Sequence, residues 1–147
     1  MERITEGFKL FQPWATDVVK GKLNYLVRSI STIKLRRVAV IASNNIDVIW
    51  SANVTDKEFK EVQKKVGVIG SVEIKDCLKI KLNEVKTELI KLAGDKYWNY
   101  YPKHLISKYT RTGMVYIWVL DNAKEWEMAT EIKSSGITWA RVDLEEK

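Results

Sequence analysis

Between Lys96 and Arg111 the rings of Tyr97, Trp98, Tyr100, Tyr101 and Tyr109 are interleaved with Lys96, Lys103, His104, Lys108 and Arg111. Aromatic faces stack on unpaired bases of any sequence while cations hold the linking backbone, which is how single-stranded RNA is commonly gripped. A stacked base contributes ~1–3 kcal/mol, so two exposed rings are enough to matter. Tyr97, Trp98, Tyr100, Lys103, Lys108 and Arg111 are therefore candidate RNA contacts. The competing use of such a segment is packing beneath a loop as a satellite of the core.

A second basic group lies near the start of the chain, at Lys22, Arg28, Lys34, Arg36 and Arg37. A guanidinium cannot shed its charge, so Arg28 must meet a carboxylate, water or a ligand phosphate. Glu73 is its candidate internal partner. Lys34, Arg36 and Arg37 either extend a phosphate-binding surface or solvate the turn before a buried strand. Net charge is +6 and uneven: residues 1–54 carry eight Lys/Arg against four Asp/Glu, and residues 86–113 carry six against two. The stretch from 55 to 85 is nearly balanced at seven against six, and the segment from Met114 onward is acidic at four against seven. If folding joins the two basic stretches, their field attracts a polyanion in a salt-sensitive way.

Other chemistries find little support. His104 is the only histidine and Cys77 the only cysteine, so a zinc cluster, an internal disulfide and a Ser-His-Asp or Cys-His centre all lack parts. No glycine-rich phosphate loop occurs, and no cofactor or metal is expected. Cys77 reads as core filling. The longest apolar run, Met114 to Leu120, is far short of a membrane helix, and the start Met1-Glu2-Arg3 lacks a signal peptide's apolar stretch. A cytoplasmic protein without membrane contact is expected.

These residues must be positioned by one core, since 147 residues with 46% hydrophobic content suit a single domain over 1–147 and no repeat or linker interrupts them. Pro13 suits the first turn of a helix to Lys20: Trp14, Ala15, Val18 and Val19 share a face, and Gly21 stands where a left-handed cap would sit. Trp14 is either the floor of a binding cleft or plain core. The free N–H groups at that helix start would favour an anion. Tyr25–Ser29 reads as a strand and Arg37–Ala42 as a strand buried on both faces. Thr55 and Glu58 form a capping box for a helix reaching Gly67. Val68–Ile80 reads as a strand with a bend or bulge at Gly70. Asn83–Ala93 and Pro102–Tyr109 read as helical, and Met114–Asn122 and about Ile137–Val142 as strands. Strands outnumber helices without regular alternation, which favours an α+β or small-barrel plan.

Four blocks in order carry a family resemblance. Phe11-Gln12-Pro13-Trp14-Ala15 with Gly21 and Val27-Arg28-Ser29, then Val68 to Cys77, then Trp118-Val119-Leu120-Asp121-Asn122-Ala123, then Gly136 with Trp139 together resemble the ASCH family of the PUA-like superfamily. That resemblance implies a small mixed β-barrel with flanking helices and a cleft beside the first helix. Many members of the superfamily bind RNA, so RNA is the implied partner. Placing Gly21 and Arg28 on the family's G-x-K-x-x-E-x-R signature puts Leu23 at the lysine and Leu26 at the glutamate. The amidohydrolase branch uses those two positions for its lysine and nucleophilic threonine. Neither leucine can donate, accept or attack, and Lys22 is one residue out of step. The resemblance therefore implies RNA binding without that hydrolysis. A metal-independent ribonuclease using Lys, Tyr and Arg side chains and a nucleoside amidohydrolase stay open as alternatives.

Overall fold

The computed structural model describes residues 3–106, 112–132 and 138–146. In chain order these form β1 (Arg3–Gln12), α1 (Trp14–Val19), β2 (Tyr25–Arg28), β3 (Arg37–Ile46), α2 (Val48–Ser51), α3 (Asp56–Gln63), β4 (Gly67–Lys81), α4 (Val85–Ala93), α5 (Asp95–Tyr100), β5 (Met114–Thr130) and β6 (Trp139–Glu145). Short 3-10 turns precede α4 and follow α5. The strands are ordered β2-β5-β4-β3-β1-β6, with β1 parallel to β3 and the β1–β6, β2–β5 and β3–β4 pairs antiparallel. A mixed six-stranded sheet with five helices is the α+β class expected from the sequence.

The chain divides into two compact units. The first comprises Met1–Lys22, Arg36–Glu73 and Asp121–Lys147; the second comprises Leu23–Leu35 and Ile74–Leu120. In the first unit, Ile4, Ala39, Ile41, Val68, Trp126 and Ala140 form one buried cluster. Strand β3 is buried from Arg37 to Ala42, as its unbroken apolar run predicts. Gly70 lies at an irregularity: Val40 faces Gly70 and Ile41 faces Val68, leaving Ile69 as the extra residue of a bulge. A Cβ on Gly70 would lie 2.2 Å from the carbonyl oxygen of Lys124, so only glycine lets these backbones approach.

Helix α1 begins where the Gln-Pro-Trp-Ala run places it, and the run is structural throughout. The buried Gln12 side chain accepts from the Thr16 N–H and from the Thr16 hydroxyl, both at 3.0 Å. It also donates to the carbonyl of Lys65 at 3.1 Å. The helix stops at Val19, and Gly21 follows at φ +78°, with its N–H on the carbonyl of Val18. Thr55 caps α3 as expected, accepting a 3.2 Å bond from the Glu58 N–H, and its hydroxyl donates to the Glu58 carboxylate at 3.1 Å.

In the second unit, Leu23, Leu26, Ile74, Val85, Leu89, Val115, Ile117 and Trp118 are buried. The helical turn expected after Pro102 is present as the 3-10 turn Lys103–Leu105, whereas α5, which ends at Tyr100 ahead of that proline, was not foreseen. Residues 107–111, with Lys108, Tyr109 and Arg111, lie outside the described residues. In the first unit, β1 was not foreseen as a strand, although Ile4, Glu6, Phe8 and Leu10 alternate with the partners of a pleat.

Candidate nucleic-acid interface

The positive charge of the chain belongs almost wholly to one unit. Residues 23–35 and 74–120 hold eleven Lys/Arg against four Asp/Glu, a net of +7, while the rest of the chain holds fourteen against fifteen, a net of −1. Arg28 and the aromatic segment 97–103 are both in this cationic unit.

Within it, β2 is the outer strand, pairing with β5 through Tyr25–Val119, Leu26–Trp118, Val27–Ile117 and Arg28–Tyr116. An outer strand presents alternate N–H and C=O groups with no ladder partner. Helix α5 answers them with phenols. The Tyr97 hydroxyl accepts from the Tyr25 N–H at 2.9 Å and donates to the Tyr25 carbonyl at 2.5 Å, as a neighbouring strand residue would. The Tyr101 hydroxyl accepts from the Val27 N–H at 2.8 Å. The rings of Tyr97 and Tyr25 meet edge to face at 5.8 Å. Burial raises the Tyr97 phenol far above its ordinary range, and burial also pushes Tyr101 up to about 12. Both phenols therefore stay protonated in neutral solution. Tyr97, expected to stack on a base, is thus committed to the edge of β2, and Tyr101 is committed with it. Their spacing of four residues is the one sign the sequence carried of a shared face.

Arg28 ends β2 with its guanidinium 5.0 Å from the centre of the Trp118 ring. Burial is the largest influence on it and lowers its pKa, and the nearby Tyr101 phenol opposes that shift. The Trp118 indole donates to the carbonyl of Ile30 at 3.1 Å, which fixes the chain leaving β2. Lys103 donates to the carbonyls of Trp98, Asn99 and Tyr101 at 2.9, 3.3 and 3.4 Å, capping the end of α5, and its ammonium sits 5.2 Å from the Trp98 ring centre. Tyr100 is 47% exposed, Trp98 is half-buried, and Lys96 and His104 are exposed. Lys34 is half-buried. One face of this helix therefore guards the strand while other rings stay accessible among cations.

Leu23 and Leu26 are 1% and 3% exposed. Hydrocarbon fills both places, and neither offers a proton or a lone pair.

The remaining predicted contacts belong to the other unit, and several have internal duties. Trp14 is core: its indole donates to Asp47 at 2.7 Å, and both residues are buried. Lys22 is exposed. Arg36 pairs with Glu6 at 2.9 Å on the surface. Arg37 was expected at the surface, either meeting phosphate or solvating a turn, and is instead buried. It donates to the Ser71 hydroxyl at 2.8 Å, the Asn122 carbonyl at 2.9 Å and the Glu73 carboxylate at 3.4 Å. Glu73, expected as a partner for Arg28, faces Arg37 directly across the β3–β4 ladder. Position alone separates these adjacent arginines: Arg37 starts the doubly buried strand, and its neighbour still lies outside it.

Among the described residues, no group of three or more His, Cys, Asp or Glu could hold a metal ion, and no helix is long and apolar enough to cross a membrane. Cys77 is half-buried and free.

No family model matches the chain, and no curated protein sequence matches it. Solved structures do. The crystal structure of ASCH from Zymomonas mobilis is similar with a TM-score of 0.50 at 14% identity, over 82% of this chain and 68% of that one. The crystal structure of a serine-to-alanine mutant of the Zymomonas mobilis protein reaches a TM-score of 0.57 at 13% identity, over 93% of this chain and 87% of that one. At such identity the likeness is one of architecture, and the architecture of this chain is an ASCH-like α+β fold.

Proposed function

We propose that the protein binds single-stranded RNA through the cationic unit formed by residues 23–35 and 74–120, without amidohydrolase chemistry. The observation that carries this reading is the charge partition, +7 in that unit against −1 in the remainder. A polyanion feels the summed field of such a unit well before contact. Tyr100, 47% exposed, and the half-buried Trp98 lie on a segment that also carries the exposed Lys96 and His104, a composition suited to stacking on unpaired bases. Arg28 adds a fixed guanidinium beside Trp118. Hydrocarbon at Leu23 and Leu26 argues against turnover of acylated nucleosides.

The test is fluorescence anisotropy with a labelled single-stranded oligoribonucleotide across a salt series. Affinity is expected to fall steeply with salt. W98A and Y100A should each weaken binding about tenfold, the equivalent of ~1–3 kcal/mol per stacked base, with little change in salt slope. Equal affinity for RNA in wild type and both variants, or no binding at low salt, would remove the reading. Cleavage of the RNA without added metal, abolished by Lys or Tyr substitutions, would replace it with a ribonuclease.

A further inference from the structure

The loop that leaves β2 in the cationic unit inverts the usual order of burial. Its Thr32 is buried, whereas Ile30, Ile33 and Leu35 are 40%, 94% and 54% exposed. Ile33 is more exposed than any other large apolar side chain among the described residues. Apolar side chains scattered singly over a surface need no explanation, but three within six residues form a patch of the kind that marks a contact. Hydrogen bonds hold the loop in this form. The Trp118 indole fixes the Ile30 carbonyl at 3.1 Å, the Thr32 hydroxyl accepts from the Lys34 N–H at 3.0 Å, and the Leu35 N–H donates to the Ile33 carbonyl at 3.0 Å. Helix α5, which carries Trp98 and Tyr100, is moored to the same end of β2 through the bond from Val27 to Tyr101. The Trp118 ring that fixes Ile30 also lies against the Arg28 guanidinium there.

A partner for this loop must suit a unit of net charge +7 and offer an apolar face to an aliphatic side chain. One isoleucine with parts of two neighbours is too little to hold a lipid bilayer, which even a whole myristoyl chain grips only marginally. The outer face of a base pair is flat and apolar, and nucleic-acid-binding proteins set isoleucine and leucine against such faces. We infer that Ile33 caps the last base pair of an RNA stem, so that the substrate is RNA with a junction between duplex and single strand. The stem ends on the loop, and the unpaired bases that follow it lie on Trp98 and Tyr100. This inference rests on the RNA-binding reading above. Because the end of a stem is already open on one side, no base has to be unstacked, and a loop held by its own hydrogen bonds has little freedom left to lose.

The experiment measures binding of two labelled RNAs of equal length, a hairpin with a single-stranded tail and an unstructured oligouridylate, by wild type, I33A and I33L. A duplex is more densely charged than a single strand and favours any basic protein, so the readout is the change that a substitution makes in the ratio of the two affinities. I33A should lower the preference for the hairpin about tenfold, and I33L should keep most of it. The salt slopes of wild type and I33A should agree, since no phosphate contact is removed. V48A trims a side chain that is 78% exposed in the other unit and should leave the ratio unchanged. If wild type and I33A show the same ratio, the capping inference is overturned, while RNA binding, tested separately with W98A and Y100A, stands. Sedimentation with phosphatidylserine vesicles that I33A abolishes, together with an unchanged ratio, would assign the loop to a lipid surface and overturn the inference in that way. If wild type binds neither RNA, both readings fall.

Discussion

Replacing Tyr101 with phenylalanine removes one oxygen and nothing else, and it isolates the contact between α5 and the outer edge of β2. Val27 then loses the acceptor 2.8 Å from its N–H. Tyr101 is 5% exposed and Val27 7%, so water has little access to take the oxygen's place. The relevant magnitude is therefore the cost of an unsatisfied buried donor, ~1–3 kcal/mol, rather than the smaller net value of an exchangeable hydrogen bond. For 147 residues, 2 kcal/mol corresponds to a fall in melting temperature of roughly 6 °C. Y97F loses both a donated and an accepted bond, but at a part-exposed site where water can substitute, so about 1 kcal/mol is expected. Thermal and urea denaturation of the three proteins checks the order: wild type, then Y97F, then Y101F as the least stable. A Y101F melting temperature within about 1 °C of wild type would mean that the edge is satisfied some other way, and the argument would fail.

The same phenol makes stability depend on alkaline pH. Tyr101 ionises near 10.0 in the unfolded chain and at about 12 when folded, so its contribution is complete below pH 10. It is lost as pH rises to 12, because the unfolded state releases the proton first. Urea titrations should show Y101F losing less stability than wild type over that interval. D47A deprives the buried Trp14 indole of its acceptor and uncaps α2, whose Ile49 and Trp50 N–H groups bond to the same carboxylate; a loss of about 2–3 kcal/mol in denaturant melts is expected. G70A drives a methyl group into the Lys124 carbonyl and should destabilise by about 3 kcal/mol, read from the same melts; a neutral result would show that β4 and β5 can separate at no cost.

What could be read from the chain before folding was whatever depends on local period and punctuation. The buried run of β3, the Thr55 N-cap, the Gly21 stop and the Gly70 bulge each follow from a few adjacent residues, and each is present. Charge was legible in amount but not in address: Arg36 and Arg37 are sequence neighbours, yet one pairs on the surface with Glu6 and the other is sealed with Glu73 and Ser71. Which arginine enters is decided by where the pleat of β3 begins, a tertiary matter. The tyrosines teach the same lesson more sharply. A phenol is equally able to stack on a base or to satisfy a strand edge, and beyond the four-residue spacing of Tyr97 and Tyr101 no local property distinguishes Tyr97 from Tyr100. The choice is made by β2 having no neighbour on one side, so that two of the rings in a nominal RNA-binding motif are first consumed by hydrogen bonds the backbone cannot leave unmade. Aromatic density is therefore evidence for a binding surface only after the outer strands of the sheet have been supplied, and here Trp98 and Tyr100, rather than Tyr97 and Tyr101, are the rings whose removal should weaken RNA binding.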